Sequence, residues 1–312
     1  MTGGAGFIGS NMVEALLKLG ANVVVYDNLS SGRYEFLKEF EKYKGFKFIE
    51  GDLLNLDKLS ISMKKSNADA VVHLAANPDI RLGIKYTNLD LRQGTIATYN
   101  VLEAARKSDV GDILFSSSSV VYGRASIKPT PENYGPLLPI SLYGAAKLAS
   151  EGLITSFSNL FGMRYYIYRF ANVVGKNGTH GVIIDFVNKL RRNKSMLEVL
   201  GDGRQRKSYV DVGDCVNAML YVYEKSNEKE NVYNIASDDR ITVREIAEIV
   251  AGRVAKGATI VYTGTKEGWP GDVTDTFLSN KKLKSLGFRL KMNSKQAVQN
   301  ALELYIKAQG AT

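Results

Sequence analysis

The sequence has very few of the residues that form disulfides or bind transition metals. Cys215 is the only cysteine in 312 residues, which excludes an internal disulfide and a zinc site built from several cysteines. His73 and His180 are the only histidines, so a site with three histidine ligands is also excluded. We therefore expect no metal centre. A single thiol fits a reducing compartment, and we expect a cytoplasmic protein.

Long apolar runs are also lacking. No run reaches the roughly 20 residues that a membrane-spanning helix needs, and no signal-peptide pattern is visible. Lysine and arginine outnumber the acids by 41 to 32, giving a formal net charge of +9 that attracts phosphates and nucleotides. No interleaved aromatic and basic residues suggest a nucleic-acid platform. We expect neither a membrane nor a nucleic-acid partner.

Short apolar runs alternate with longer helical patterns along the first half of the chain. The strand-like runs are Val23–Tyr26, Phe46–Ile49, Ala70–Leu74, Ile113–Phe115 and Tyr165–Tyr168. The helical patterns are Val13–Leu19, Thr95–Arg106 and Tyr143–Leu160. Strands separated by helices predict a doubly wound parallel sheet in an α/β protein, and a less regular, smaller mixed region follows. Within that region, Thr242 and Glu245 predict a capping box for a helix ending near Val254.

A glycine-rich loop opens the chain. Gly3, Gly6 and Gly9 have the spacing that permits a tight turn and a close backbone approach to a pyrophosphate at a helix N-terminus. Asp27 ends the next strand, where an acid hydrogen-bonds a ribose hydroxyl and repels a 2′-phosphate. This pattern favours NAD over NADP, although Arg33 is placed to accept a 2′-phosphate. The alternative is that these residues only form turns.

The glycine loop should follow a buried central strand, yet only Met1 and Thr2 precede Gly3. We expect that the first strand is missing and that the true start lies about six to ten residues upstream, the length of one strand. A terminal strand supplied by a partner is the alternative.

A serine-rich strand end and a Tyr–Lys pair form the second candidate site. Ser116 to Ser119 follow a buried strand, and Tyr143 and Lys147 lie four residues apart on one helical face. A nearby ammonium group favours the phenolate, so we expect Lys147 to lower the pKa of Tyr143 from about 10 and make it a usable base. The alternative is a surface pair.

Together these motifs resemble the extended short-chain dehydrogenase/reductase family, and within it the UDP-glucose 4-epimerase branch. The similar segments are TGGAGFIGS at the start, DNLSSG at Asp27, GD at Asp52, HLAA at His73, SSSSVVYG, YGAAK, RFANVVG at Arg169 and GDGRQRKSYV at Gly201. The resemblance implies a Rossmann-type NAD domain over residues 1–173. Residues 174–312 would mainly bind substrate, and a segment near 232–254 would return to the first domain.

The resemblance also implies roles for individual residues. The catalytic residues would be Tyr143, Lys147 and Ser118. The cofactor-binding residues would be Gly3, Gly6, Phe7, Ile8, Gly9, Asp27, Asn28, Ser30, Ser31, Gly32, Asp52, Leu53, Leu74, Ala75, Ala76, Ser116, Tyr143, Lys147 and Phe170. The substrate-binding residues would be Ser118, Ser119, Tyr143, Asn172, Val182, Arg206, Lys207, Trp269 and Asp272.

The implied reaction is NAD-dependent epimerisation at C4 of a UDP-hexose through a transient 4-keto sugar, carried out by a homodimer. Related dehydratases carry an Asp-Glu pair where this chain has Ser119 and Val120, and related decarboxylases carry a Glu at the second position. An epimerase of N-acetylated or uronic acid sugars, a sugar dehydrogenase and a non-catalytic binding protein remain open. Gly94, Pro78 and Trp269 depart from the better-known epimerases at positions that meet the cofactor or the diphosphate.

Overall fold

The computed structural model describes residues 1–265, 268, 271 and 273–310. The first part of the chain contains α1 (Phe7–Lys18), β1 (Val23–Asp27), β2 (Phe46–Glu50), α2 (Leu56–Ser66), β3 (Ala70–His73), α3 (Leu82–Lys85), α4 (Ala97–Arg106) and β4 (Asp112–Ser118). A π-helical segment, Leu91–Ile96, leads into α4, and short 3-10 turns lie at Tyr34–Phe36, Lys38–Phe40 and Ser119–Tyr122.

The remaining elements follow in chain order. They are α5 (Leu142–Phe161), β5 (Arg164–Phe170), β6 (Asn172–Val174), α6 (Val182–Arg192), β7 (Met196–Val199), β8 (Arg206–Lys207), β9 (Tyr209–Asp211), α7 (Val212–Lys225), β10 (Glu230–Ile235), β11 (Ile241–Thr242), α8 (Val243–Val254), β12 (Thr259–Tyr262), β13 (Asp275–Thr276), α9 (Lys281–Ser285) and α10 (Ser294–Gly310). No helix in the described part of the chain is long and apolar enough to cross a membrane.

A parallel sheet organises the first compact unit. β1 pairs with β2 and β3 pairs with β4, both in parallel, and the order continues from β4 to β5 and β10. Helices cover both faces, because side chains alternate along each strand. Val23 and Val25 of β1 pack with Val13 of α1, whereas Tyr26 packs into the cluster formed with α2 and α4. The predicted Rossmann-type α/β fold is confirmed.

Thr2 joins the two halves of this sheet. It forms parallel bridges with Tyr26 of β1 and His73 of β3. Its N–H donates to the carbonyl of Val72 at 3.0 Å, and its own carbonyl accepts from Leu74 at 3.1 Å. Thr2 thus lies between β1 and β3, at the place in the sheet where the sequence predicts a strand before the glycine loop. The order is therefore β2-β1-Thr2-β3-β4-β5-β10.

The chain forms two compact units with interleaved boundaries. Unit 1 comprises residues 1–124, 134–169 and 219–233, and unit 2 comprises 125–133, 170–218 and 234–312. The segment that returns to the sheet is therefore 219–233, which holds the end of α7 and most of β10. This differs from the predicted return near 232–254, because α8 buries its apolar face in the core of unit 2.

Unit 2 has its own core beneath three helices. Residues of α6, α8 and α10 pack together with β7 and β9, and small sheets pair β7 with β12, β6 with β9, and β8 with both β11 and β13. α8 begins with the predicted capping box. Thr242 Oγ1 accepts the N–H of Glu245 at 3.1 Å, and Glu245 Oε2 accepts the N–H of Thr242 at 2.8 Å, so this prediction is confirmed.

Candidate active site

The glycine loop packs closely against neighbouring backbone where α1 begins. Gly3 has φ +71°, a conformation that favours glycine, and a Cβ there would lie 2.5 Å from the backbone nitrogen of Ala75. Gly6 is the N-cap of α1, with Phe7 and Ile8 in the first turn. A Cβ on Gly9 would overlap the carbonyl oxygen of Gly3. The loop can therefore hold a pyrophosphate on backbone N–H groups and the positive end of the helix dipole.

Asp27 is held at the carboxyl end of β1. Its Oδ2 accepts the N–H of Ala5 at 3.0 Å and its Oδ1 accepts the N–H of Leu29 at 2.9 Å. Burial raises the pKa of the Asp27 carboxyl, and these two hydrogen bonds oppose that shift. Each oxygen of an ionised carboxylate accepts two hydrogen bonds, so both retain capacity for a ribose hydroxyl. Asp27 thus fits the adenosine end of a dinucleotide.

The turn after Asp27 connects to the segment after β2. Asn28 Oδ1 accepts the N–H of Ser30 at 3.0 Å and its Oγ at 2.7 Å, while Asn28 Nδ2 donates to Asp52 Oδ2 at 3.3 Å. Leu53 is buried, and its carbonyl accepts from Asn100 Nδ2 at 2.8 Å. Gly32 lies beside Asp27, with its Cβ position 3.0 Å from Oδ1, whereas Ser31 is exposed. The predicted adenosine-binding residues of unit 1 therefore share the edge of the sheet where β1 and β2 end.

The carboxyl ends of β3 and β4 form the next part of the site. Leu74, Ala75 and Ala76 follow β3 and are each partly buried, and Ala75 contacts the glycine loop. Ser116 and Ser118 end β4, and Ser119 begins a 3-10 turn. These residues follow neighbouring parallel strands, whose carboxyl ends meet at the ligand-binding edge of an open α/β sheet.

Lys147 points from α5 toward β4. Its Nζ donates to the carbonyl of Ser116 at 2.5 Å and lies 4.6 Å from the ring centroid of Phe115 and 5.7 Å from that of Tyr143. Ser141 caps α5 by accepting the N–H of Gly144 at 3.1 Å, which sets where this helix begins. Burial lowers the pKa of Lys147 to about 7, against the opposing charges of Glu151 and Asp90.

The predicted effect of Lys147 on Tyr143 is wrong for this structure. Burial and then the negative charge of Asp90 raise the pKa of Tyr143 above its ordinary value of 10.0. Desolvation opposes the phenolate, and an amine with a pKa of about 7 carries only part of a charge at neutral pH. The surroundings of Tyr143 therefore raise its pKa rather than lower it.

Sequence reasoning missed the buried ion pair beneath the Tyr–Lys pair. Arg169 of β5 binds Glu151 of α5 through two hydrogen bonds, at 3.0 and 2.7 Å. Ser117 also donates to Glu151, and Arg169 donates to the hydroxyl of Tyr122 at 2.9 Å. Glu151 stands four residues after Lys147 on the same helical face, a spacing that could have identified it.

Asp90 and Asn77 were also missed. Asp90 is 2% exposed, and its Oδ1 accepts from Asn77 Nδ2 at 3.0 Å. Its Oδ2 is buried and has no hydrogen-bond partner among the described residues. Nothing in the local sequence marks this acid as buried, because its neighbours Asn77 and Gly83 come from the loop after β3 and from α3.

His73 is a third buried polar group at this edge. One ring nitrogen lies 2.7 Å from Thr2 Oγ1 and the other 2.9 Å from Thr98 Oγ1. Burial, with the charge of Lys147, lowers its pKa to about 3, so the ring is neutral at physiological pH. His73 of β3 thus connects Thr2 with Thr98 of α4.

The other predicted residues belong to unit 2 or lie outside the described residues. Phe170 is buried at the end of β5, and Asn172 opens β6, with its Nδ2 donating to the carbonyl of Ser208 at 3.2 Å. Val182 is the first residue of α6. Arg206 and Lys207 form β8, where Arg206 is exposed. Trp269 and Asp272 lie outside the described residues.

Comparison with known proteins connects this geometry to a family. The sequence model of the NAD dependent epimerase/dehydratase family matches residues 1–236. A putative UDP-glucose 4-epimerase of Methanocaldococcus jannaschii is 31% identical over 307 residues, covering 97% of this chain and 96% of the relative. A solved UDP-galactose 4-epimerase is 41% identical with a TM-score of 0.88, covering 98% of each chain. The UDP-glucose 4-epimerase of Thermotoga maritima, solved with UDP-glucose, is 31% identical with a TM-score of 0.89, covering 99% of this chain and 98% of that one.

Proposed function

Because the chain belongs to the NAD-dependent epimerase/dehydratase family, we propose that it inverts C4 of a UDP-hexose and interconverts UDP-glucose and UDP-galactose. It is an enzyme, and its cofactor is NAD. One observation carries the proposal. Lys147, which lies on the same helix as Tyr143, donates a hydrogen bond to the carbonyl of Ser116 near the end of β4.

The residues of unit 1 would hold the cofactor along the carboxyl edge of the sheet. Gly3, Gly6 and Gly9, with the first turn of α1, would bind the pyrophosphate. Asp27 would bind the adenosine ribose, and Asp52 and Leu53 would flank the adenine. Ala75, Ala76 and Ser116 would line its path, and the Lys147 amine would bind the second ribose. When bound, NAD supplies a reversible acceptor for the hydrogen on C4 of the sugar.

The chain's own groups would move the proton and orient the sugar. Tyr143, as phenolate, would remove the proton from the 4-hydroxyl while the C4 hydrogen leaves, producing a 4-keto sugar. The hydrogen would then return to the opposite face of C4, and Tyr143 would return the proton to the oxygen. Ser118, whose Oγ lies 3.4 Å from the N–H of Val120, would hydrogen-bond the reacting oxygen. Positioned acid–base groups of this kind contribute about 10²- to 10⁴-fold.

The remaining predicted contacts belong to the same proposal. The sugar and the nucleotide would be contacted by Ser119, Asn172 and Val182. The uridine diphosphate would be contacted by Arg206, Lys207, Trp269 and Asp272. Ser119 and Val120 carry no carboxyl group, which argues against a dehydratase, because eliminating water requires an acid and a base at these positions.

We also propose that the enzyme is a homodimer formed through α4 and α5. These helices expose several large apolar side chains: Tyr99, Leu142, Leu160 and Phe161. Exposed apolar surface of this kind is typical of interaction sites.

Proton NMR of UDP-galactose incubated with the protein and NAD tests the reaction. We expect the signals of UDP-glucose to appear, and Tyr143→Phe to abolish them. UDP-N-acetylglucosamine and UDP-glucuronic acid are tested in parallel. If the protein converts only one of these two and not UDP-galactose, that sugar nucleotide becomes the substrate in place of the proposed one. Net absorbance growth at 340 nm with any of these substrates would indicate a dehydrogenase and contradict epimerisation, because an epimerase regenerates its cofactor in every turnover.

A further inference from the structure

A groove of about 580 Å³ lies between strand β2 and helix α2 of unit 1. β2 contributes Lys47 and Ile49, which are two residues apart and therefore lie on one face of the strand. α2 contributes Lys58, Ile61 and Lys65, whose three- and four-residue spacing places them along one face of the helix. None of these residues is assigned to the cofactor or the substrate, so the proposed reaction does not use this groove.

The β2 side of the groove is an open edge of the sheet. β2 pairs with β1 and, among the described residues, with no other strand. Gly45 and Gly51, on either side of β2, bond to the backbone of β1 at 2.7 and 3.0 Å, so every second residue between them also directs its backbone groups toward β1. By the same alternation, the N–H and C=O groups of Phe48 and Glu50 point away from β1. Such an edge can accept a further strand.

The groove carries positive charge that the fold leaves unpaired. Lys47, Lys58 and Lys65 form no ion pair with any described residue, and Asp57 is the acid among the lining residues. Positive charge on a concave surface attracts anions. Ile61 is 56% exposed, so the groove also offers an apolar surface between its lysines.

The spacing of these side chains matches one added strand. α2 connects two parallel strands, so it runs antiparallel to β2, and Lys65 lies toward the same end of the groove as Lys47. Lys58 lies toward the other end, about 10 Å away along the helix axis, and the first and fifth residues of a strand are about 13 Å apart. A strand with an acid at its first and fifth residues and an apolar third residue would therefore place its acids beside the lysines and its apolar side chain beside Ile49 and Ile61. This pattern reads the same in both strand directions.

A second copy of this chain fits the edge less well. Antiparallel pairing of two β2 strands about a twofold axis leaves both α2 helices on the same face of the joined sheet. The lysines of the two grooves would then lie side by side, and like charges across a strand pair are destabilising. An acidic segment pairs with the same edge without this repulsion.

We propose that this groove binds an extended acidic segment of a partner protein, which adds to the sheet as a strand beside β2. Backbone hydrogen bonds to Phe48 and Glu50 hold the segment, and its alternate side chains meet the lysines and isoleucines of the groove. The recognised pattern is an acidic residue at each end and an apolar residue in the middle, each separated by one residue of any type.

Fluorescence anisotropy of a labelled peptide tests the inference on the full chain with NAD bound. The peptide reads glutamate, threonine, valine, threonine, glutamate between flanking glycines, and a second peptide carries lysine in place of both glutamates. We expect saturable binding of the acidic peptide and no binding of the basic one. Absence of saturable binding by the acidic peptide overturns the inference.

Charge reversal on α2 separates the groove from general attraction to a basic protein. Lys65→Glu reverses a lysine of the groove, and we expect the Kd for the acidic peptide to rise at least about tenfold. Lys64→Glu is the matched control, because Lys64 is exposed on the same helix, does not line the groove and changes the net charge equally. We expect its Kd to stay within about threefold of the parent value, since salt screens exposed charges at this range. Equal losses in the two variants overturn the assigned groove.

Glu50→Pro tests the addition of a strand. It removes the N–H that points to the open edge and leaves the bonds to β1, as proline on an edge strand does. The control Glu50→Ala removes the same negative charge and keeps the N–H. We expect the Kd to rise about fivefold in Glu50→Pro, as for one lost hydrogen bond, and not to rise in Glu50→Ala. An unchanged Kd in Glu50→Pro indicates a simple anion site and overturns strand addition.

Two further measurements complete the test. If Glu50→Pro lacks the near-ultraviolet circular dichroism of the parent, hydrogen exchange of the Phe48 and Glu50 amides replaces it, and their exchange should slow when the peptide binds. If sedimentation velocity shows that Glu50→Pro dissociates a dimer of the parent, the edge belongs to a second copy and the inference is overturned. None of these readouts needs turnover, so they do not depend on which sugar is the substrate.

Discussion

Lys147 donates a hydrogen bond to the carbonyl of Ser116 at 2.5 Å, and this contact joins helix α5 to the end of strand β4. Lys147 is 4% exposed, and its amine lies over the ring of Phe115. The amine contacts a carbonyl and an aromatic ring in place of water. Because burial disfavours the charged form, it lowers the pKa of Lys147 to about 7. Small changes in its surroundings will therefore change its charge near neutral pH.

Gly9→Ala should damage the nucleotide loop. The added Cβ would overlap the carbonyl of Gly3 and lie 2.7 Å from the Cα of Gly4, so the backbone of the loop must move. We expect the free energy of unfolding to fall by about 1–3 kcal/mol, as for other overpacked sites. We also expect the Kd for NAD, measured by calorimetry, to rise at least tenfold. Gly152→Ala is the control, since nothing lies within 4 Å of its Cβ position in α5, and it should keep NAD affinity and gain up to about 1 kcal/mol. Unchanged NAD affinity in Gly9→Ala would contradict the assigned loop.

Glu151→Gln should destabilise the protein strongly. Arg169 is 6% exposed, so the substitution would leave its charge buried without a partner. We expect the free energy of unfolding, measured by urea denaturation, to fall by about 3–5 kcal/mol. Ser117→Ala removes only one neutral donor to Glu151 and should cost about 1 kcal/mol. Similar losses in the two variants would mean that the ion pair is not the dominant interaction here.

His73 should make the protein sensitive to acid. Its pKa is about 3 in the folded protein against an ordinary value of 6.5, so below pH 6.5 the unfolded chain binds a proton that the folded chain does not. Stability is therefore lost as pH falls from 6.5 toward 3, by up to about 1.4 kcal/mol per pH unit from this group. His73→Gln should reduce that slope, whereas His180→Gln, at an exposed loop position, should keep it. Equal slopes in both variants would refute the prediction.

Phe161→Glu should dissociate the proposed homodimer. Phe161 ends α5, is 49% exposed, and packs edge-to-face with Phe157 at 5.2 Å between ring centroids. A charge on this apolar face should raise the dimer Kd at least tenfold, measured by sedimentation velocity. Leu19→Glu is the control, because Leu19 is 73% exposed at the end of α1. A monomeric parent protein would contradict the proposed assembly itself.

Local patterns in the sequence determined much of the framework. Glycine spacing, the acid at the end of β1 and the four-residue interval between Tyr143 and Lys147 each depend on neighbours within one turn or one strand. The capping box of Thr242 and Glu245 is local in the same way, and it forms as predicted. Helical and strand periodicity likewise identifies the alternating elements, because burial on one or both faces imposes that periodicity.

Only the tertiary structure decided which charges are buried and what they meet. Glu151 and Arg169 are 18 residues apart, Thr2 and His73 are 71 residues apart, and Asn77 and Asp90 are 13 residues apart. Desolvation depends on this packing, and it reverses the predicted direction of the Tyr143 pKa. The sequence by itself thus determined the chemical groups and their local spacing, while the fold decided their protonation, because the cost of charge depends on burial rather than on sequence neighbours.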